Sequence, residues 1–248
     1  PSSYTRFDGQ GAWLSLLDTI DYLAVDRKLV VDRLTKPTLL DLQRQLRQGE
    51  YHILHFVGHS LFDGQTGAGQ LVLEDEMGRS RLVSGEHLGA LLRDHFPLRL
   101  VFLSNPEQWH SRRGTSAYLS VAQSLVQRGI GAAVAPQIDA SYEDQLIFAQ
   151  SFYAHISDLQ PVDLAAVHAR EALRKERDDL SWGALVLCTR VANGCLFHDG
   201  TPVAPELPKT AADNILLRLN SLRIRTAGRD TIVGWSDDFS EPPRTSGN

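Results

Sequence analysis

The chain has 248 residues, 42% of them hydrophobic and 22% charged, a balance that describes a globular protein able to bury a core without disulfide or metal staples. A net charge of −5 argues against a nucleic-acid binder, which carries a basic surplus on one face. No apolar run approaches the roughly 18 residues of a membrane span.

The start, Pro1-Ser2-Ser3-Tyr4-Thr5-Arg6, lacks the basic and apolar segments of a signal peptide. With no initiator Met, the sequence reads as a fragment or a processed product. Two cysteines, Cys188 and Cys195, are too few for a disulfide framework, so a cytoplasmic protein is expected.

In chain order, Trp13, Leu16, Leu17, Ile20 and Leu23 recur at helical spacing over residues 10–24. Residues 28–34 (KLVVDRL) are short and β-branched and predict a strand. Thr38 is placed to cap a helix, with Asp41 reaching back to it, Leu39, Leu42 and Leu46 on one face, and Gly49 as the stop. Residues 51–57 (YHILHFV) predict a buried strand ending at Gly58. A glycine-rich loop, 64–69, leads into a short strand at 71–74, and 86–94 predict a helix. The most hydrophobic strand, 98–103 (LRLVFL), breaks at Asn105-Pro106.

A helix over 117–128 closes at Gly129, and a strand of small residues follows at 132–135. Ser141 caps a helix with Leu146, Ala149, Phe152 and Ile156 on its apolar face. A further helix spans 162–174 with Leu164, Val167 and Leu173 inward, and 183–189 form a last buried strand. Helices alternating with continuous apolar strands predict an α/β fold with a mostly parallel sheet covered on both faces. Two regions are expected: a domain over 1–198, then 199–248 as a linker, an amphipathic helix at 211–225 and a disordered end.

His52, His55 and His59 suggest metal, but zinc peptidases place two His one helical turn apart with a Glu between them. Here the intervening residues are Phe-Val-Gly on a strand, so no metal site is expected. The loop 64–69 enters a strand rather than a helix and lacks Gly-Lys-Ser/Thr, which excludes a phosphate-binding loop. No cofactor is expected. His59 falls just past a strand end, the edge where open α/β sheets place ligands and catalytic groups. A second parallel strand ending beside it would bring position 106 within reach of the His59 ring, as a nucleophile–base pair requires.

Gly58-His59-Ser60, the strand ending in Leu103-Ser104-Asn105, the helix around Val121 to Val126 with Gly129, and Ala132 to Ala135 ending in Gln137 together resemble the CHAT family. So do Phe148 to Tyr153, Ala169-Arg170-Glu171-Ala172-Leu173 and Trp182-Gly183. The resemblance covers about residues 10–191 in order, and the family's usual first strand is missing before residue 10. It implies a caspase-like three-layer sandwich. It also implies that His59 is the general base, that the backbone N–H of Ser60 helps to hold an oxyanion, and that the nucleophilic cysteine belongs at Pro106. Proline has neither thiol nor N–H.

Ser60, Ser104, Cys188 and Cys195 are the alternative nucleophiles. Gln137 and Asp139 lie where CHAT domains place substrate contacts, although Asp139 is equally suited to capping a helix. Trp109, beside His110, either packs on a neighbouring loop or anchors a partner. Two functions follow from the resemblance, beside a third reading as a structural arm whose helix at 211–225 would be a docking element. One is a pseudopeptidase that binds a protein or peptide within a larger bacterial signalling or defence assembly, fused or bound to sensor or repeat modules. The other is an endopeptidase with a non-standard nucleophile.

Overall fold

A computed structural model describes residues 9–25, 29–34, 36–105, 116–138, 140–177 and 179–198. The chain divides into two compact units, Pro1–His198 and Asp199–Asn248, and every described residue belongs to the first. Pro106, Trp109, His110, Asp139 and the expected helix at 211–225 lie outside the described residues.

The elements run α1 (Gly9–Val25), α2 (Leu39–Gln48), β1 (Ile53–Val57), β2 (Ser60–Phe62), β3 (Gly69–Glu74), β4 (Ser80–Ser84) and α3 (Gly85–Arg93). Then follow β5 (Leu100–Ser104), α4 (Ala117–Gln127), β6 (Ala132–Pro136), α5 (Tyr142–Ser157), α6 (Val162–Glu176), a 3-10 turn (Leu180–Gly183) and β7 (Leu185–Thr189).

Local chemistry starts and stops the helices. Thr38 Oγ1 accepts the Asp41 N–H at 3.0 Å and donates to Asp41 Oδ2 at 2.9 Å, the reciprocal cap expected of that pair. Ser84, Ser116 and Ser141 cap α3, α4 and α5 by accepting the backbone N–H of His87, Tyr118 and Asp144. Gly129, at φ +117°, adopts beyond α4 a conformation that a side chain would resist. Gly49 differs: its φ of −150° is extended, so α2 ends without a left-handed residue.

The central sheet has the order β1-β5-β6-β7, with β1, β5 and β6 parallel and β7 antiparallel on β6. Alternation along β5 serves both faces. Leu100 and Phe102 enter a core with α1, α5 and α6. Val101 and Leu103 enter a second core with α2, α3, α4 and the strands β3 and β4. Every residue of β5 and β6 is buried, and each fully buried large side chain contributes roughly 1.5–3 kcal/mol. The architecture is the expected mostly parallel α/β sandwich.

Several features differ from the sequence reading; β1 and β7, expected as buried strands, are mostly half-buried, because each lies at an edge of the sheet. Residues 29–34 join no strand. Leu29 and Val31 lean on one core and Leu34 on the other, while Val30 is exposed, because β-propensity needs a partner strand to express it. Strand 71–74 belongs to a separate antiparallel sheet, β2-β3-β4, whose outer strands are too short or too polar to read from pattern.

On α6 the inward stripe is Val162, Ala165, Ala166, Ala169 and Leu173; Leu164 and Val167 are 42% and 46% exposed. Alanines at three- and four-residue spacing let α6 approach the Phe148 and Phe152 face of α5, so small residues rather than large ones mark the buried side.

That packing sets an expected contrast. Ala166→Leu should destabilise the fold by about 1–3 kcal/mol through overpacking, whereas Val167→Ala should change it by no more than about 0.5 kcal/mol. Urea denaturation measures both, and equal losses would contradict the assignment of the α6 faces.

Candidate functional site

Parallel pairing brings three strand ends to one edge of the sheet. Val57 lies opposite Ser104 and Phe102 opposite Val134, and the Gly58 N–H donates to Ser104 O at 3.2 Å. His59, Asn105 and Gln137 each stand just past their strands on this edge, where open α/β sheets bind ligands.

The histidine segment is tied on several sides. The Tyr118 hydroxyl, on α4, donates to Gly58 O. The Val72 N–H, on β3, donates to His59 O at 2.9 Å, and Ser60 pairs with Leu71. His59 Nε2 is shielded from solvent.

The end of β5 is held by a side chain that sequence reasoning missed. Gln145, buried on α5, accepts the Asn105 N–H at its Oε1 and donates from Nε2 to Asn105 O, both at 2.8 Å. Nε2 also donates to Ala140 O at 3.2 Å and Ser141 O at 3.3 Å. A flipped amide would set NH2 against N–H and oxygen against three carbonyls, so the orientation is fixed by its partners. The available signal was a glutamine one turn before Phe148 and Ala149 on an apolar stripe.

The three histidines separate. His52 precedes β1, where its C=O accepts the Arg99 N–H at 2.9 Å, and its ring meets the edge of Phe197. At about 3.3 Å per extended residue, some 23 Å of strand separates it from His59. His55 points into the core between them. Its Nδ1 lies 2.8 Å from the Tyr153 hydroxyl and its Nε2 2.9 Å from Ser104 Oγ, and its ring stacks on Phe102 at 4.6 Å between centroids. A neutral ring donates at one nitrogen and accepts at the other, so a single polarised chain links tyrosine, histidine and serine. Burial pushes the His55 pKa down to about 3 and raises that of Tyr153.

Ser104 and His55 thus meet at the distance of a nucleophile–base pair, but Ser104 is only 1% exposed. The ring faces a neutral phenol where a triad would place a carboxylate to stabilise an imidazolium. Cys188, on β7, pairs with Ala133 of β6, three strands from β1, or roughly 14 Å at about 4.8 Å per strand; burial raises its pKa. Cys195 adjoins Leu196, whose C=O accepts from Arg99 at 2.9 Å beside the start of β5, the end of the sheet opposite His59. Gln137 ties β6 to the chain before β7: its N–H donates to Ala184 O and its Nε2 to Gly183 O, each at 2.8 Å. Of the sequence-based candidates, the described residues bring His59, Ser60 and Gln137 to this edge.

The CHAT domain family model matches residues 16–214, most of the chain. No curated protein matches it. The chain belongs to the CHAT family.

Two outcomes follow from this geometry. Gln145→Leu should cost about 1–3 kcal/mol and abolish hydrogen-exchange protection of the Asn105 amide, because a backbone donor and acceptor lose their partner; retained protection would show that the amide does not hold the strand end. His55 sets a pH dependence. The unfolded chain binds a proton below about 6.5, the folded chain not until about 3. Stability from the neutral buried ring is therefore complete above pH 6.5 and falls as the pH drops toward 3, at up to about 1.4 kcal/mol per pH unit. Urea unfolding across this range should show a slope that His55→Gln reduces by about one proton, and an unchanged slope would refute the coupling.

Proposed function

We propose that this CHAT domain keeps the caspase-like fold to recognise a protein or peptide and does not cleave what it binds. The observation that carries the reading joins a register to a residue type. Val57 and Ser104 are partners; two residues beyond the first is His59, and two beyond the second the sequence has Pro106, the position that the family resemblance assigns to the nucleophilic cysteine.

Proline supplies neither a thiol nor a backbone N–H. Loss of an oxyanion donor lowers rate by roughly 10²–10³, and loss of a nucleophile by on the order of 10⁶. The retained His59 and the Ser60 N–H then shape a binding notch with no attacking group.

The second reading, an endopeptidase with another nucleophile, draws on the Ser104–His55 contact at 2.9 Å. Burial of the serine and the neutral state of the ring weigh against it. The remaining parts of the proposal are a cytoplasmic setting, suited to two unbridged cysteines, and a place within a larger bacterial signalling or defence assembly with sensor or repeat modules. Among the described residues no helix is long and apolar enough to cross a membrane.

The test restores the lost atoms. Pro106→Cys should create a thiol that iodoacetamide alkylates faster than Cys188 and Cys195, as read by mass spectrometry, and His59→Ala in that background should slow the reaction because the imidazole supports the thiolate. The unaltered chain should leave candidate partners intact. Cleavage by it that disappears in His59→Ala would overturn the proposal.

A further inference from the structure

Arg170, Arg174 and Arg177 follow one another turn by turn along the flank of α6 that meets the start of β7. Arg177 is neutralised: it pairs with Glu143 at 2.6 Å and Asp144 at 2.7 Å. Arg170 is not. It is half-buried, and its guanidinium donates to Leu185 O at 3.3 Å, slightly longer than usual. Five N–H donors thus share one neutral acceptor. Burial lowers the pKa of this group, as expected of a cation taken from water without a counter-charge. Arg174, exposed one turn on, has no ion pair among the described residues, and like charges at this spacing repel.

The acids of the neighbourhood are engaged or point elsewhere. Glu143 and Asp144 are held by Arg177. Glu171 pairs with His168 at 3.6 Å, and Glu171 and Glu176 lie roughly 100° and 120° around the helix from Arg170. Asp163 is two turns back, about 10 Å along the axis, beside Gly194. Asp179 accepts the Ser181 N–H at 2.8 Å and faces the Arg177 charge.

Arg170 also stands at the far end of the edge that carries His59. Leu185 pairs with Pro136, the last residue of β6. Ala184 O accepts from Gln137 and the Arg190 N–H donates to Gly131, so these alternate residues face β6. Leu185 O therefore turns to the other side of β7, where no strand pairs among the described residues. Nearby, a Cβ added to Gly183 would meet nothing within 4 Å, which leaves room for a ligand beside the guanidinium.

We infer that Arg170, assisted by Arg174, binds the carboxylate of an aspartate or glutamate side chain in the polypeptide that this domain recognises. A planar guanidinium presents paired donors that match a carboxylate, and Arg174 draws the same charge in from solvent. This assignment rests on the reading of the domain as a recognition module and names the chemistry of its partner.

The probes are three labelled synthetic peptides of equal length, Leu/Glu, Leu/Gln and Leu/Lys, each titrated into the full chain by fluorescence anisotropy. The Leu/Glu peptide should bind and the other two at least about tenfold more weakly; added salt should weaken the Leu/Glu complex. Arg170→Gln should lower Leu/Glu affinity by about tenfold, with urea denaturation confirming that the variant is folded. Arg170→Lys keeps the charge without the planar fork and should lower affinity severalfold. Arg174→Gln, at an exposed position where the fold should tolerate it, should lower it by about threefold. Arg81→Gln, at an exposed arginine of β4, should leave binding unchanged.

The inference is overturned if the Leu/Glu peptide does not bind, if either counterpart binds as well, or if Arg81→Gln weakens binding as much as Arg170→Gln. It is also overturned if Arg170→Lys and Arg174→Gln both bind like the unaltered chain. A phosphoserine counterpart that binds about tenfold tighter than Leu/Glu would make the ligand a phosphate and sink the carboxylate assignment. Mass spectrometry of the bound peptide separates the two readings. Cleaved peptide sinks the inactive reading and leaves the arginine site standing; intact peptide with no Arg170 dependence sinks the arginine site alone.

Discussion

The parallel pairing of Ile53–Val57 with Leu100–Ser104 is the constraint on which the rest of the molecule depends. It divides the apolar side chains of β5 between two cores, since alternate residues face opposite sides of the sheet. The same pairing brings both strands to an end at one edge, and so decides that His59 and Asn105 emerge as neighbours. A slip by one residue would turn Phe102 toward the wrong core and separate the two ends, so the site and the core are specified by one register.

Buried polar groups lock that register where hydrophobic contact alone would be indifferent. His55 on β1 reaches Ser104 on β5 and Tyr153 on α5, joining two strands and a helix through one ring. Gln145 performs the equivalent task one residue beyond β5 by satisfying both backbone groups of Asn105. Each group would carry a desolvation penalty if left unpaired. The paired state therefore excludes alternative packings more strongly than aliphatic side chains of the same volume would. This polar reinforcement lies at the strand ends that carry the candidate site.

On the proposed reading, His59 is what remains of a peptidase's chemistry, and the proline that the sequence carries at the position the family resemblance gives to the nucleophile leaves the domain to binding. Fold and reaction are separable in this way because the fold depends on buried alternation, whereas the reaction depends on single atoms.

From the sequence alone came the α/β class, nearly every helix and central strand, the capping of α2 and α5 by Thr38 and Ser141, and the position of His59 past a strand end. These follow from local rules: hydrophobic period, capping chemistry, and breaks at glycine and proline. Tertiary structure decided that residues 29–34 join no strand, that α6 buries alanines and exposes Leu164 and Val167, that β2, β3 and β4 form a sheet of their own, and that Gln145 grips Asn105. Their local signatures are faint at best: a glutamine on the apolar stripe of α5 and alanines at helical spacing on α6. Each depends on which surface arrives opposite a residue, and that is set only when distant segments pack.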